Sequence, residues 1–113
     1  MYSVRYFKLS NDVGCIARMR ILWKKDSASG EYKLPGDPDV LYNAERTIDL
    51  CAQTGIPSGA RVELYVEIAV CNEQRANEEF IFDPKCGQMV CYLLDGSIIS
   101  NELTRTSPKF SGE

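Results

Sequence analysis

Arg61-Val62-Glu63-Leu64-Tyr65-Val66-Glu67-Ile68-Ala69-Val70-Cys71 is the stretch whose reading decides the fold. Val62, Leu64, Val66, Ile68 and Val70 recur at every second position, with Arg61, Glu63, Tyr65 and Glu67 between them. Successive side chains of a strand point to opposite faces, so this period predicts one face against a core and the other toward water. β-Branched residues on the apolar face disfavour a helix. Upstream, Cys15, Ala17, Met19, Ile21 and Trp23 share one parity while Arg18, Arg20 and Lys24 fall mostly on the other. This predicts a second half-buried strand, with Trp23 as a core anchor rather than an exposed stacking platform.

Working outward, shorter strands are expected over residues 2–9, 31–34, 46–51, 79–82 and 89–94, with a further one over 97–100. Asp26-Ser27-Ala28-Ser29-Gly30, Pro35-Gly36-Asp37-Pro38 and Ile56-Pro57-Ser58-Gly59 read as loops between them, and Asp95-Gly96 as a tight hairpin turn. Leu41, Ala44, Ile48 and Cys51 stand at helical spacing, so a helix over 41–53 competes with the loop and strand preferred here. Seven or so short strands without long intervening helices predict an all-β chain, a two-layer antiparallel β-sandwich. The 113 residues suit a single domain with one core, residues 1–113, and the polar tail over 104–113 is expected to fray.

The same residues narrow the function by exclusion. A formal charge of −3 and the lack of any basic run beyond Lys24-Lys25 argue against nucleic acid as a partner. There is no histidine, so neither a Ser-His-Asp nor a Cys-His arrangement is available. Adjacent acids, Glu78-Glu79 and Asp37 near Asp39, are read as solvated rather than as a paired catalytic site, and no catalytic residue is assigned. Gly55 and Gly59 serve turns and lack the spacing of a phosphate-binding loop.

Of five cysteines, Cys86 and Cys91 form a close pair, but a structural zinc normally needs four ligands, so neither metal nor cofactor is expected. The cysteines read mostly as buried thiols. Residues 1–10 lack the apolar block of a signal peptide, and nothing approaches the ~20 apolar residues of a membrane span. A cytoplasmic protein, or one exported by a non-standard route, is the expectation. Binding is the class of function left.

Several short elements, taken in order, resemble the C-terminal membrane-binding domain (domain 4) of cholesterol-dependent cytolysins. They are the stretch from Leu9-Ser10-Asn11-Asp12-Val13-Gly14-Cys15 through Trp23, then Thr47-Ile48-Asp49-Leu50, then Ile56-Pro57-Ser58-Gly59-Ala60-Arg61, and finally Leu94-Asp95-Gly96-Ser97-Ile98-Ile99-Ser100. The resemblance runs over about residues 2–103. It implies a stand-alone relative of the binding domain without pore-forming parts. It also implies a functional surface of loops at one end of the sandwich that meet membrane lipid, sterol, glycan or a protein receptor.

By position, that surface falls on Gly14, Cys15 and Ile16, on Leu41 and Tyr42, on a loop opening at Cys71 that includes Arg75, and on Ile98 and Ile99. Ile98 and Ile99 stand where the family places a sterol-contacting threonine-leucine pair. After Cys71 the family's tryptophans are replaced by residues that include Glu73, Glu78 and Glu79. Carboxylates are costly to desolvate, which argues against insertion of this loop into a bilayer.

For Leu41 and Tyr42 core burial is the favoured alternative. For Ile98 and Ile99 an exposed contact and an ordinary hairpin with one side chain in the core are equally open. Arg75 is expected to face solvent, and Cys71 to be a buried free thiol. A protein-interaction or self-assembling module, such as a homo-oligomer joined through the same loops or a strand edge, is the competing function.

Overall fold

The computed structural model describes residues 1–69 and 71–110, and these contain eleven strands and no helix. They are β1 (Ser3–Val4), β2 (Tyr6–Asn11), β3 (Ala17–Lys25), β4 (Ala28–Lys33), β5 (Asp39–Val40) and β6 (Glu45–Asp49), then β7 (Arg61–Ile68), β8 (Glu73–Arg75), β9 (Phe80–Phe82), β10 (Met89–Gly96) and β11 (Asn101–Ser107). One sheet is ordered β1-β9-β7-β3-β4, with β5 also on β3 and β8 also on β7; the other is β11-β10-β2-β6.

The deciding stretch is β7, at the centre of the larger sheet. Val62, Leu64, Val66 and Ile68 are buried, as are Ala17, Met19 and Ile21 on the paired strand β3. The smaller sheet answers with Phe7 and Leu9 from β2, Ile48 from β6, and Val90, Tyr92 and Leu94 from β10. Val70, expected on the inward face, lies outside the described residues.

The sandwich is mixed rather than purely antiparallel. β1 runs parallel to β9, and β2 parallel to β10. Parallel neighbours need a long crossover, and most of the chain separates these partners. Alternation reports which face a residue takes and is blind to strand direction. The strand expected over 2–9 breaks at Arg5, where the chain steps from one sheet to the other. Arg5 secures that step, donating from Nε and Nη2 to the Asp49 carboxylate at 3.1 Å each.

The segment at helical spacing is the preferred loop followed by a strand, β6. Boundaries elsewhere differ from the sequence reading. Ala28, Ser29 and Gly30 are strand rather than loop, because Gly30 pairs with Trp23 and the indole fills the place of a glycine Cβ, within 2.8 Å of it. Trp23 is accordingly packed against the core. The hairpin after β10 turns over residues 97–100, which are not strand; Gly96, at φ +108°, ends β10, where a Cβ would collide with the Ser100 backbone.

The tail expected to fray continues in β11 as far as Ser107, paired with β10. Its anchor is polar: Arg105 donates to both Glu78 carboxylate oxygens at 3.1 Å and to the Pro108 carbonyl. The buried Tyr92 hydroxyl donates to the same carboxylate at 2.8 Å. Burial, then this hydrogen bond, raises the Tyr92 phenol above its ordinary pKa. Residues 111–113 of the expected tail lie outside the described residues.

Replacing Arg105 by Met leaves Glu78 and Tyr92 without their cation, and is expected to lower unfolding free energy by about 2–3 kcal/mol. Tyr92→Phe, which spares the ion pair, should cost about 1 kcal/mol. Urea unfolding ranks the two, and equal midpoints would show the network to be unimportant. At the Arg5–Asp49 pair, the hydrogen bond from Arg5 holds the Asp49 carboxyl below its ordinary pKa. A carboxyl more acidic in the folded state adds stability above its unfolded pKa of about 4 and loses it as pH falls through the folded value. Asp49→Asn should therefore flatten the acid limb of a stability-against-pH curve and leave its slope near neutrality unchanged.

Candidate functional site

Four loops meet at one end of the sandwich. Residues 12–16 join β2 to β3, 41–44 join β5 to β6, Ala69, Cys71 and Asn72 lie between β7 and β8, and 97–100 join β10 to β11. The ladders bring them together: β2 and β10 run parallel and end there, β3 begins opposite the end of β7, and β6 begins opposite the end of β2.

Asn11 ties the first two loops. It is the buried last residue of β2, at the inward parity of Phe7 and Leu9, where an apolar side chain would be expected. Its Nδ2 donates to the carbonyls of Cys15 at 2.8 Å and Val40 at 2.9 Å, and its Oδ1 accepts from the Val13 amide at 3.0 Å. Its backbone amide and carbonyl pair with Ala44 and Asn43 at 2.9 and 2.8 Å.

Asn101 ties the other two. Its side-chain amide exchanges hydrogen bonds with Asn72 at 3.0 and 3.1 Å, and Gln74 donates to its Oδ1 and backbone carbonyl at 2.8 and 3.0 Å. The first and third loops also touch. The Ala69 amide donates to the Ile16 carbonyl at 2.9 Å, and the Cys15 and Cys71 sulfurs stand 3.0 Å apart.

Gly14, Cys15, Ile16, Leu41, Tyr42, Cys71, Ile98 and Ile99 all lie on these loops. Their burial differs from expectation in several places. Leu41 and Tyr42 are 56% and 57% exposed instead of filling the core, because Val40 takes the buried place beneath them. Ile99 is 95% exposed and Ile98 48%, so neither side chain of the hairpin enters the core. No cysteine is fully buried: Cys51 is exposed and the other four are half-buried.

Arg75 does not belong to this end. It closes β8 opposite Tyr65, and its guanidinium lies 2.6 Å from the buried carboxylate of Glu63, which also accepts from the Asn77 amide at 2.8 Å. Hydrogen bonding to Glu63 raises the Arg75 pKa. The acids after Cys71 are likewise held on the sheet: Glu73 by the Tyr65 hydroxyl, Glu78 by Arg105 and Glu79 by Lys24. Asp39 is paired with Arg18. The segment therefore lies along β7, and of its described residues Ala69, Cys71 and Asn72 stand at the tip.

Reasoning from sequence did not single out Asn11, Asn72, Gln74 or Asn101. For Asn11 a signal existed, since a polar residue at the inward parity of a strand end needs buried partners. The asparagine pair leaves no such trace, because its members are 29 positions apart.

No family model matches the sequence, and neither does any curated protein. Solved structures do match. The crystal structure of listeriolysin O superposes with TM-score 0.55 and 10% identity over 93% of this chain and 22% of that one. For pneumolysin the TM-score is 0.52, at 10% identity, over 90% of this chain and 23% of the other. For the human-specific toxin intermedilysin it is 0.51, at 13% identity, over 93% and 23%. The chain has a cytolysin domain 4-like fold. It spans about a quarter of the length of the toxins it matches, and the likeness is one of fold.

Asn11→Ala would leave the Cys15 and Val40 carbonyls and the Val13 amide without a partner, at a cost of about 2–4 kcal/mol. Amide hydrogen exchange should quicken selectively at Val13 and Asn43, with β7 keeping its relative protection. Unchanged exchange at those two amides would show that Asn11 does not hold the loops.

Proposed function

We propose that this domain is a non-catalytic recognition module that docks on a membrane surface, meeting lipid or sterol with the apolar side chains of its loop tip. The observation that carries the reading is Ile99, 95% exposed, at the same end as Leu41, Tyr42 and Ile98. Fully burying such a side chain gains about 1.5–3 kcal/mol, so several together supply enough for reversible binding even if each is only partly covered. Exposed apolar groups gathered at one end of a domain commonly mark a contact. The resemblance to a membrane-binding domain favours the same surface.

Charge narrows the target. Asp12 and Asp95 are exposed beside the tip, and no lysine or arginine lies on its four loops. Acidic groups are repelled by anionic headgroups, so a zwitterionic surface containing sterol fits better than an anionic one. A surface glycan is the second ligand class, read by the backbone groups and asparagines of the loops.

The competing reading is a protein-interaction or self-assembling module. Its support is β4, which ends the larger sheet with a row of backbone groups on its outer side and four exposed residues. Such an edge is open to pairing with another strand.

Flotation with phosphatidylcholine vesicles, with and without cholesterol, alongside a glycan array and light scattering, separates these readings. Membrane docking predicts co-flotation that falls at least tenfold in an Ile98→Ser, Ile99→Ser double variant and in Leu41→Ser, at unchanged thermal midpoint. A chain that stays with the soluble fraction in every lipid mixture would overturn it. A defined oligomer that survives these substitutions would point to the β4 edge instead.

A further inference from the structure

We propose that Cys15 and Cys71 form a dithiol site that low-molecular-weight disulfides oxidise to an intramolecular bond, stapling the loop before β3 to the loop after β7. This stands apart from what the tip binds. The two sulfurs are 56 positions apart in sequence yet lie 3.0 Å from one another. An S–S bond is about 2.05 Å long, so roughly 1 Å of approach separates the thiols from the covalent state.

The backbone already holds both residues in place. Ala17 pairs with Ile68 at the end of the β3–β7 ladder, the next hydrogen bond runs from Ala69 to Ile16, and the Cys71 amide donates to Ile68 at 3.1 Å. Both side chains are half-buried, which leaves a small reagent a route to them. Cys51 offers a contrast: it is exposed, and its sulfur faces the Pro84 carbonyl at 3.7 Å. Accessibility alone would make Cys51 react first, whereas geometry makes Cys15 and Cys71 the pair that closes.

Closure needs two exchanges. One cysteine, as its thiolate, attacks a sulfur of the small disulfide, forming a mixed disulfide and releasing one small thiol. The other cysteine, deprotonated in turn, attacks the protein sulfur of that mixed disulfide, forming the Cys15–Cys71 bond and releasing the second small thiol. Two cysteine thiols are oxidised, one small disulfide is reduced to two thiols, and the two cysteine protons pass to the leaving sulfurs. The hydrogen bond with Cys15 and partial burial raise the Cys71 thiol above its ordinary pKa, so closure should quicken as pH rises.

The test incubates the purified chain in a series of oxidised-to-reduced glutathione ratios, quenches with acid, and maps disulfides by mass spectrometry without reduction. The expected product is a monomer lighter by two hydrogens, with the peptides of Cys15 and Cys71 joined. Its thermal midpoint should rise on the order of 10 °C, because the bond closes a long loop of the unfolded chain. Cys51→Ser should leave this product unchanged, and Cys71→Ser should accumulate the mixed disulfide on Cys15. Recovering Cys15 and Cys71 as free thiols or stable mixed disulfides while Cys51 reacts would overturn the proposal, as would a bond from either to another cysteine. The map of the unsubstituted chain decides the matter even if Cys71→Ser fails to fold.

Discussion

Two hydrogen-bonded sheets close the sides of a sandwich and leave its ends open, so backbone groups at the ends need partners from elsewhere. At the loop-bearing end that need is met by buried or half-buried amides. Asn11 can do this because an amide side chain both donates and accepts, so one residue binds two carbonyls and one N–H at once. Neither an aspartate nor a leucine offers that combination. The loops before β3 and before β6 consequently share one fixed point inside the core.

That fixed point decides what the tip can display. With Val13 and Val40 buried beneath the loops, the next residues outward, Leu41 and Tyr42, have no core left to enter. The hairpin over residues 97–100 is fixed from its own side by Asn72, Gln74 and Asn101, and its turn closes through Ser97 and Ser100. Its two isoleucines are thereby pushed outward. Exposed apolar side chains on anchored loops lose less freedom on binding than the same side chains on a loose segment, which favours a contact role for them.

How much of this could be read from the residues follows from what each pattern encodes. Alternation in β3 and β7 reports burial, and those faces are as the sequence indicates except at Glu63, on the outward face of β7, which is buried beside Arg75. The direction of pairing leaves no trace in alternation, so the residue pattern is silent on the parallel neighbours β1–β9 and β2–β10. Gly30 carries two meanings, a turn and a vacancy for a large neighbour, and only the cross-strand position of Trp23 selects the second. The tip was legible through the order of short elements, since positions far apart gather only when the topology is known. Arg75 reads as a loop residue because the sequence after Cys71 is polar, whereas the buried Glu63 on the neighbouring strand draws it onto the sheet.

The position of Glu63 explains why the acids after Cys71 stay away from the tip. It sits on β7 with 5% of its surface exposed, a costly place for a carboxylate unless it is paired and hydrogen-bonded. Arg75 and the Asn77 amide meet both requirements, and in doing so they lay residues 73–77 flat along β7. Once that segment is down, Glu78 and Glu79 fall within reach of Arg105 and Lys24, away from the loops. A sequence that looks too acidic to approach a lipid surface thus keeps most of those acids on the body of the domain. Interactions of the sheet's outer face, remote from any ligand, determine which side chains the loop end presents.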